Sequence, residues 1–234
     1  MLFFKILKRV RVILCSLRFN FKYLPFKQAI RIPVFIYKAR ILSMKGQVSI
    51  DCKDIHMGMI QLGFPRAATY PNTGITWRNH GKIVFKGSCI IGNDCAVIVG
   101  RYGKVVFGQN FQVNAGLKLV SQCGISFGSD CLLGWGVSIL DSNFHYLYDL
   151  ERKENKKAFG PIMIGDNNWI STGCLVMHSV TTTEGCVFGA RSILTRRMSY
   201  EPYCLYGGNP LHILSRNVMK DRHNHLVKEY QYKK

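Results

Sequence analysis

Acidic residues are scarce in this sequence, and the first 50 positions contain none. The same positions carry eleven Lys or Arg, and the whole chain has 32 basic against 13 acidic residues, a formal charge of +19 at pH 7. Such an excess predicts an anionic partner or surface. Nucleic acid is not favoured as that partner, because the sequence lacks zinc-finger spacing, an RNA-binding signature and a basic helix followed by heptads.

A long uninterrupted apolar run is also missing. Basic residues divide the N-terminal stretch MLFFKILKRVRVILCSLRFNFKYLPF into pieces shorter than the roughly 18–20 residues of a membrane span. The same charges, and the lack of a small-residue cleavage site after them, argue against a signal peptide. Two alternatives stay open for residues 1–45. Their apolar side chains pack on the main domain, or the segment makes a peripheral contact with an anionic membrane surface.

The spacing CxxC does not occur, although the chain has nine cysteines. An odd count without such pairs argues against a disulfide framework and against a zinc site, and it favours a reducing compartment. We therefore predict a cytoplasmic protein without a metal, located either in the cytosol or peripherally at the inner membrane. The cysteines are predicted to act as small buried residues.

Aliphatic or aromatic residues recur at every sixth position over much of the chain. Examples are the units that begin at Ile91, Phe107, Phe127, Ile164 and Phe188. A hexapeptide period predicts a parallel β-helix, in which three units form one triangular coil and the first residue of each unit points inward. Six cysteines share the fifth place of their units, which predicts a small inward position: Cys89, Cys95, Cys123, Cys131, Cys174 and Cys186.

The period breaks at DSNFHYLYD, residues 141–149, where His145 stands among polar and aromatic residues. The period resumes at Pro161, so residues 141–160 are predicted to form a loop that protrudes from the coil. A side chain on such a loop can reach a groove that a residue inside the coil cannot reach. A neutral imidazole is suited to accept a proton near neutral pH. His145 is thus either a catalytic base or an ordinary surface histidine.

Several segments resemble the hexapeptide-repeat O-acetyltransferases related to maltose and galactoside acetyltransferase: IIGNDC, SFGSDCLLGWGVSILDSNFH, PIMIGDNNWIS, FGARSILTRR and YGGNPLHIL. The resemblance extends over residues 80–216 and is greatest to the branch that acetylates capsule, colanic acid or O-antigen sugars. It implies an all-β fold, a left-handed parallel β-helix, in spite of the usual right-handed crossover. It also implies a homotrimer with active sites between subunits, acetyl-CoA as the acetyl donor and a carbohydrate acceptor.

The predicted organisation has three parts. Residues 1–45 form a basic apolar N-terminal segment, residues 46–206 form the β-helix domain with its loop at 141–160, and residues 207–234 form a helical or irregular tail. The family likeness implies that His145 is the general base. It also implies that Asn114 and Trp169 bind the substrate. Asp141, four residues before His145, is predicted either to bind a sugar hydroxyl or to orient the imidazole. The residues that the likeness implies for binding acetyl-CoA are Ser171, Thr172, Ala190, Thr195 and Arg196.

Some of these residues have alternative roles, and two positions depart from the family pattern. Asn114 and Asp141 also suit the corners of a coil, and Trp169 also suits plain packing. Ser171 stands where relatives usually have glycine. A basic residue that usually follows Pro210 is replaced by Leu211 and His212.

The sequence therefore predicts an acetyl-CoA-dependent O-acetyltransferase that acts on a sugar hydroxyl in bacterial surface polysaccharide biosynthesis. One alternative is an N-acetyltransferase of an amino sugar in the same superfamily, because both acceptors use the same base. A non-catalytic solenoid that binds glycans or acts as a scaffold is the alternative from another class. A carbonic anhydrase of this fold would need three histidines on zinc. His145 and His178 lack a suitable third, since His223 and His225 lie in the polar tail.

Overall fold

After two helices, α1 (Leu2–Tyr23) and α2 (Phe26–Ala29), the chain winds through three β-sheets in rotation as far as residue 176, and its later strands belong to the first two sheets. The structure is a computed structural model that describes residues 2–221. The three sheets form the sides of a triangular prism, and each circuit of the chain makes one coil. None of the helices within residues 2–221 is long and apolar enough to cross a membrane.

The first side has nine strands: β1 (Val34–Ile36), β4 (Ile60–Phe64), β7 (Cys89–Asn93), β10 (Phe111–Ala115), β13 (Leu132–Leu133), β18 (Trp169–Ile170), β20 (Val187–Phe188), β22 (Cys204–Gly207) and β23 (His212–Arg216). The second side has seven: β2 (Ala39–Met44), β5 (Ile75–Asn79), β8 (Cys95–Val99), β11 (Lys118–Ser121), β14 (Ser138–Leu140), β19 (Leu175–Val176) and β21 (Ile193–Leu194). The third side has five: β3 (Gln47–Ile50), β6 (Lys82–Phe85), β9 (Lys104–Phe107), β12 (Ile125–Phe127) and β17 (Ile162–Ile164). A separate hairpin consists of β15 (Tyr148–Asp149) and β16 (Glu154–Asn155).

Equivalent inward residues of adjacent coils stack directly on one another. Phe85, Phe107 and Phe127 occupy one column of the third side, and their rings stack with centroid separations of 5.2 and 5.8 Å. Phe111 packs against two of them from the first side. All four rings are buried. The hexapeptide frame is therefore confirmed as the pattern of the core.

The repeat cysteines follow the same frame. Five of the six are buried in the core, and Cys123 is half-buried. All nine cysteines of the chain have free thiols. Burial raises the pKa of the five buried repeat thiols, to about 12 for Cys95 and Cys131, so these five remain protonated at neutral pH. The interpretation of the repeat cysteines as small packing residues is confirmed for the five buried ones.

The N-terminal end of the prism is covered by α1. The side-chain amide of Asn20 donates to the Val34 carbonyl at 2.7 Å and accepts from the Val34 N–H at 3.1 Å. The Ser16 hydroxyl accepts from the Ile36 N–H at 3.0 Å. These side chains pair with strand β1, which is the first strand of its sheet among residues 2–221. The prism begins at Val34, so β1 and β2 lie before residue 46, where the sequence places the start of the domain.

At the C-terminal end the described chain finishes with a strand, whereas a helix covers the N-terminal end. Strand β23 pairs antiparallel with β22, whose outer edge would otherwise be free. The tail predicted as helical or irregular from residue 207 thus begins with an ordered hairpin. Residues 222–234, which include His223 and His225, lie outside the described part of the chain.

Candidate active site

The loop of residues 141–160 leaves the coil after β14 and returns at β17, at the corner between the second and third sides. Its two ends are joined by backbone hydrogen bonds, from the Gly160 N–H to the Asp141 carbonyl at 3.0 Å and from the Asn143 N–H to the Ala158 carbonyl at 2.7 Å. The Gly160 carbonyl in turn accepts from the Ser179 N–H in the next coil at 3.2 Å. The root of the loop is therefore fixed to the prism on both sides.

His145 lies just beyond this root and is exposed to solvent. The preceding residue, Phe144, has a left-handed backbone with φ of 62°, which is unusual for an aromatic residue. Its N–H donates to the Ser142 hydroxyl at 3.0 Å, which stabilises the turn. The turn presents the imidazole of His145 to the outside of the prism.

Asp141 holds the root of the loop to the prism. Its side chain is fully buried, and its carboxylate accepts hydrogen bonds from the coil below, all between 2.7 and 3.0 Å. The donors are the Ser121 hydroxyl and the backbone N–H groups of Gln122, Cys123 and Gly124. Of the roles open to Asp141 in the sequence, this burial and bonding support the turn-forming one, while its assignment to substrate binding stays a prediction.

A second histidine packs at the root of the loop. Pairing of Ile139 with Val176 places His178 in the same column as Asp141, one coil higher. His178 is buried, and its Nδ1 lies 3.2 Å from the Ser179 hydroxyl. Burial lowers its pKa, and the positive charges of Arg196 and Lys157 lower it further. Sequence reasoning considered His178 only as a zinc ligand, whereas its column position marks it as a neighbour of the loop root.

Three of the residues predicted to bind acetyl-CoA meet at another corner, between the first and second sides. Pairing of Ile170 with Phe188 brings Thr172 level with Ala190 in adjacent coils. The Thr172 carbonyl accepts from the Arg191 N–H at 2.8 Å, and Ser171 immediately precedes Thr172 at this corner. Both Thr172 and Ala190 are exposed. The structure therefore stacks small side chains along one outer edge.

Trp135 belongs to the same corner and was missed by sequence reasoning. It is 40% exposed, and its carbonyl accepts from the Gly173 N–H at 2.7 Å. The sequence does contain a signal for it, which is its position in the repeat. Trp135 lies two residues after the inward Leu133, just as Thr172 lies two residues after the inward Ile170. In the neighbouring column a Cβ added at Gly134 would lie 2.7 Å from the Thr172 nitrogen, so glycine is required there.

Asn114 and Trp169 lie on the first side near this corner. Asn114 is half-buried near the end of β10, and the pairing of Val113 with Leu133 places it below Gly134 in the same column. Trp169 is 39% exposed on the outer face of β18. Both side chains are thus on the same edge of the prism as Thr172.

Thr195 and Arg196 belong to the other corner. They follow β21, as His178 follows β19 and Asp141 follows β14. The backbone of Thr195 is paired with the Tyr200 hydroxyl at 3.0 and 3.1 Å, while Arg196 is exposed. In a single chain the predicted site residues therefore form two groups, and the width of the second side separates them.

No cluster of three or more His, Cys, Asp or Glu that could hold a metal ion exists among residues 2–221. His145 and His178 are accordingly without a third metal-binding partner in this part of the chain.

No family model matches the chain. It is similar to the galactoside O-acetyltransferase of Escherichia coli (strain K12), with 27% identity over 131 residues, which cover 56% of this chain and 63% of that protein. The match thus spans less than two thirds of that relative's length. The chain is also similar to an uncharacterized 24.8 kDa protein in the cps region of Klebsiella pneumoniae, with 24% identity over 187 residues, 78% of this chain and 82% of that one.

Among solved structures, the polySia-specific acetyltransferase NeuO is similar to this chain with a TM-score of 0.51 and 18% identity. The alignment covers 80% of this chain and 90% of that one. This likeness confirms the predicted fold class, a left-handed parallel β-helix. The resemblance of the sequence to hexapeptide-repeat acetyltransferases is confirmed as well. The roles of the individual site residues stay predictions.

Proposed function

We propose that this protein transfers an acetyl group from acetyl-CoA to a sugar hydroxyl, with His145 as the general base, during assembly of a bacterial surface polysaccharide. The observation that carries the proposal is the placement of His145, an exposed imidazole on a turn whose root is fixed to the prism. Similarity to a galactoside O-acetyltransferase and to a protein of a cps region supports a sugar acceptor and a role in polysaccharide synthesis.

The proposed reaction is a direct transfer. The hydroxyl oxygen of the sugar attacks the carbonyl carbon of the thioester while its proton passes to the imidazole of His145. The carbon–sulfur bond then breaks, the proton is delivered to the departing thiolate, and the imidazole is neutral again. Help of this kind from a general base is worth about 10²–10⁴ in rate.

The donor is proposed to lie along the corner that carries Ser171, Thr172 and Ala190. The small side chains there let a pantetheine arm approach the backbone closely. The Thr172 N–H is proposed to donate to the thioester oxygen as charge develops on it. Arg196, at the corner that carries the His145 loop, is proposed to bind phosphate of a donor held by the neighbouring copy, because a guanidinium pairs well with phosphate oxygens.

The separation of the two groups of residues supports a homotrimer. In a cyclic assembly each copy presents one surface to a different surface of the next copy. One corner of a copy, with Thr172 and Trp169, is thereby proposed to face the His145 loop of its neighbour. Exposed apolar side chains on that loop, among them Tyr146, Leu147 and Leu150, support a contact with another copy.

The test is an acceptor screen with the purified full chain. Acetyl-CoA is offered with a panel of sugars and oligosaccharides, and release of free thiol is followed for the wild type and for His145→Ala. We expect release with a hydroxyl acceptor and its loss in the variant. Products that withstand hydroxylamine would identify an amide and hence N-acetylation. Failure of acetyl-CoA to bind in calorimetry would instead favour a non-catalytic solenoid.

A further inference from the structure

Helix α1 has two apolar faces, and only one of them packs on the prism. On the packed face Phe19 is 2% exposed, and its ring meets Trp77 edge-on at 5.2 Å. The opposite face is exposed and apolar. Successive side chains of a helix point about 100° apart, so four exposed residues fall on one stripe. They are Val10, Ile13, Leu14 and Phe21, between 44% and 61% exposed.

The stripe continues onto α2 and the residue that follows it. The ring of Phe21 lies 6.2 Å from the ring of Phe26, which is 71% exposed. Ile30 follows one turn later and is also exposed. We call this surface the N-terminal face, defined by Val10, Ile13, Leu14, Phe21, Phe26 and Ile30. Single exposed apolar residues are common on soluble proteins, whereas a contiguous apolar surface marks an interaction site.

Basic side chains border the N-terminal face. Arg18 and Lys22 lie beside the stripe on α1, Lys27 lies on α2, and all three are exposed. No Asp or Glu occurs within the first 50 residues. The exposed apolar residues of the His145 loop differ in this respect, because Asp149 and Glu151 lie among them. The positive charge around the N-terminal face thus favours an anionic partner.

An apolar recess opens beside the stripe, between α1 and the first coil. Its volume is about 610 Å³, and its lining includes Ile13, Leu17, Phe35, Met57 and Phe64. Ile13 belongs both to the recess and to the N-terminal face, so the two apolar surfaces are continuous. The recess deepens the apolar surface at the end of the prism that lies away from the proposed active site.

We propose that the N-terminal face docks onto the surface of an anionic lipid bilayer. The apolar stripe enters the boundary between headgroups and acyl chains, while Arg18, Lys22 and Lys27 contact the lipid phosphates. A second copy of this chain is a poorer occupant, because a symmetric contact would bring the basic borders of two faces together. The interaction does not depend on the proposed acetyl transfer.

The test is flotation of the full chain with vesicles of phosphatidylcholine alone or mixed with phosphatidylserine. Two double variants are compared with the wild type, Leu14→Asp/Phe21→Asp for the stripe and Lys22→Glu/Lys27→Glu for its border. We expect binding to the mixed vesicles, weaker at high ionic strength. Each double variant is expected to lower the ratio of bound to free protein at least about tenfold.

Matched controls lie elsewhere on the prism. Tyr102→Asp changes an exposed ring at a corner of the coil, and Lys82→Glu/Lys104→Glu reverses two exposed charges on the third side. Both are expected to float like the wild type. Equal flotation of the stripe variant and its control would overturn the proposal. So would a stripe variant that dissociates the oligomer without vesicles, because the face would then bind another copy. Acetylation of a soluble sugar serves as a separate readout and is expected to stay unchanged.

Discussion

The first four coils and the coils above them are built differently. Strands β1 to β12 span three to six residues, whereas β13, β14 and β17 to β21 span two or three. The stacked rings of Phe85, Phe107 and Phe127 lie in the lower part, and the His145 loop leaves the upper part. The longer strands give the lower coils more backbone hydrogen bonds, while buried aromatic rings occur in both parts, since Phe188 and Tyr206 stack at 5.4 Å in the upper one. The comparison indicates a stable base that carries a less regular region with the proposed site, as functional sites require a rigid support.

Replacement of His145 by alanine is the sharpest test of the upper region. Turnover is expected to fall by about 10²–10⁴, because the proton of the acceptor hydroxyl loses its base. The unfolding free energy is expected to change by less than about 0.5 kcal/mol, since the side chain is exposed. Thiol release and denaturant unfolding measure the two quantities. Near-normal turnover would remove His145 from the mechanism.

Phe107→Ala tests the lower region, where we expect a large loss of stability and little change in turnover. Its ring is buried between Phe85 and Phe127, so the cavity is expected to cost about 3–5 kcal/mol of unfolding free energy. Turnover of the fraction that stays folded is expected to change less than about twofold, because the ring is remote from the upper corners. Phe26→Ala, at an exposed ring, is the stability control. A large loss of turnover in a fully folded Phe107→Ala protein would contradict the division into base and site.

Asp141→Asn tests the connection between the two regions, because the Asp141 carboxylate links the root of the loop to the coil below. Loss of charged acceptors for Ser121, Gln122 and Gly124 is expected to cost about 2 kcal/mol of unfolding free energy. We expect kcat to fall while KM for acetyl-CoA stays constant, since the loop shifts and the Thr172 corner does not. Asp149→Asn, at the exposed hairpin of the same loop, serves as the matched control and should affect stability less. A rise in KM for acetyl-CoA would place Asp141 in contact with the donor site instead.

His178→Gln gives the smallest expected effect, and it appears only as pH changes. The pKa of His178 is lowered in the folded protein by burial and by Arg196 and Lys157. As pH falls below about 6.5, the unfolded chain takes up a proton that the folded protein resists, so stability is lost toward the lowered pKa. The glutamine variant is expected to lose less stability between neutral and acidic pH. Unfolding curves at the two pH values measure this, and parallel losses in both proteins would show that other groups set the acid sensitivity.

The repeat made the core readable from the sequence, because each unit makes the same contact as the one before it. Ile91, Val97 and Phe107 are buried where the count of six placed them. Thr182 holds an inward position without an aliphatic side chain. Its hydroxyl donates to the Asn168 side chain at 2.9 Å and accepts from the Gly165 N–H. That local network is specific to one coil, so no period predicts it.

The parts that could not be predicted depend on contacts between distant positions. Asp141 had several open roles, and the contacts that favour the turn-forming role come from donors 17–20 residues away in another coil. The equivalent repeat positions of Trp135 and Thr172 can be read from the sequence. That the two residues lie at one corner follows only from the pairing of the coils. The cover formed by α1 depends on Asn20 and Ser16. Nothing in the sequence shows why an apolar helix carries these two polar side chains, because their partners are backbone groups of β1.

The pairing of Asn20 with Val34 also bears on how the molecule avoids self-assembly. A parallel β-sheet that ended in bare backbone would recruit an equivalent strand from another molecule, and such additions can continue without limit. Asn20 offers one donor and one acceptor to that backbone and then presents a helix, which extends no ladder. The first helix therefore acts as a terminator, and it keeps a fold made of stackable layers from growing into a fibre at this end.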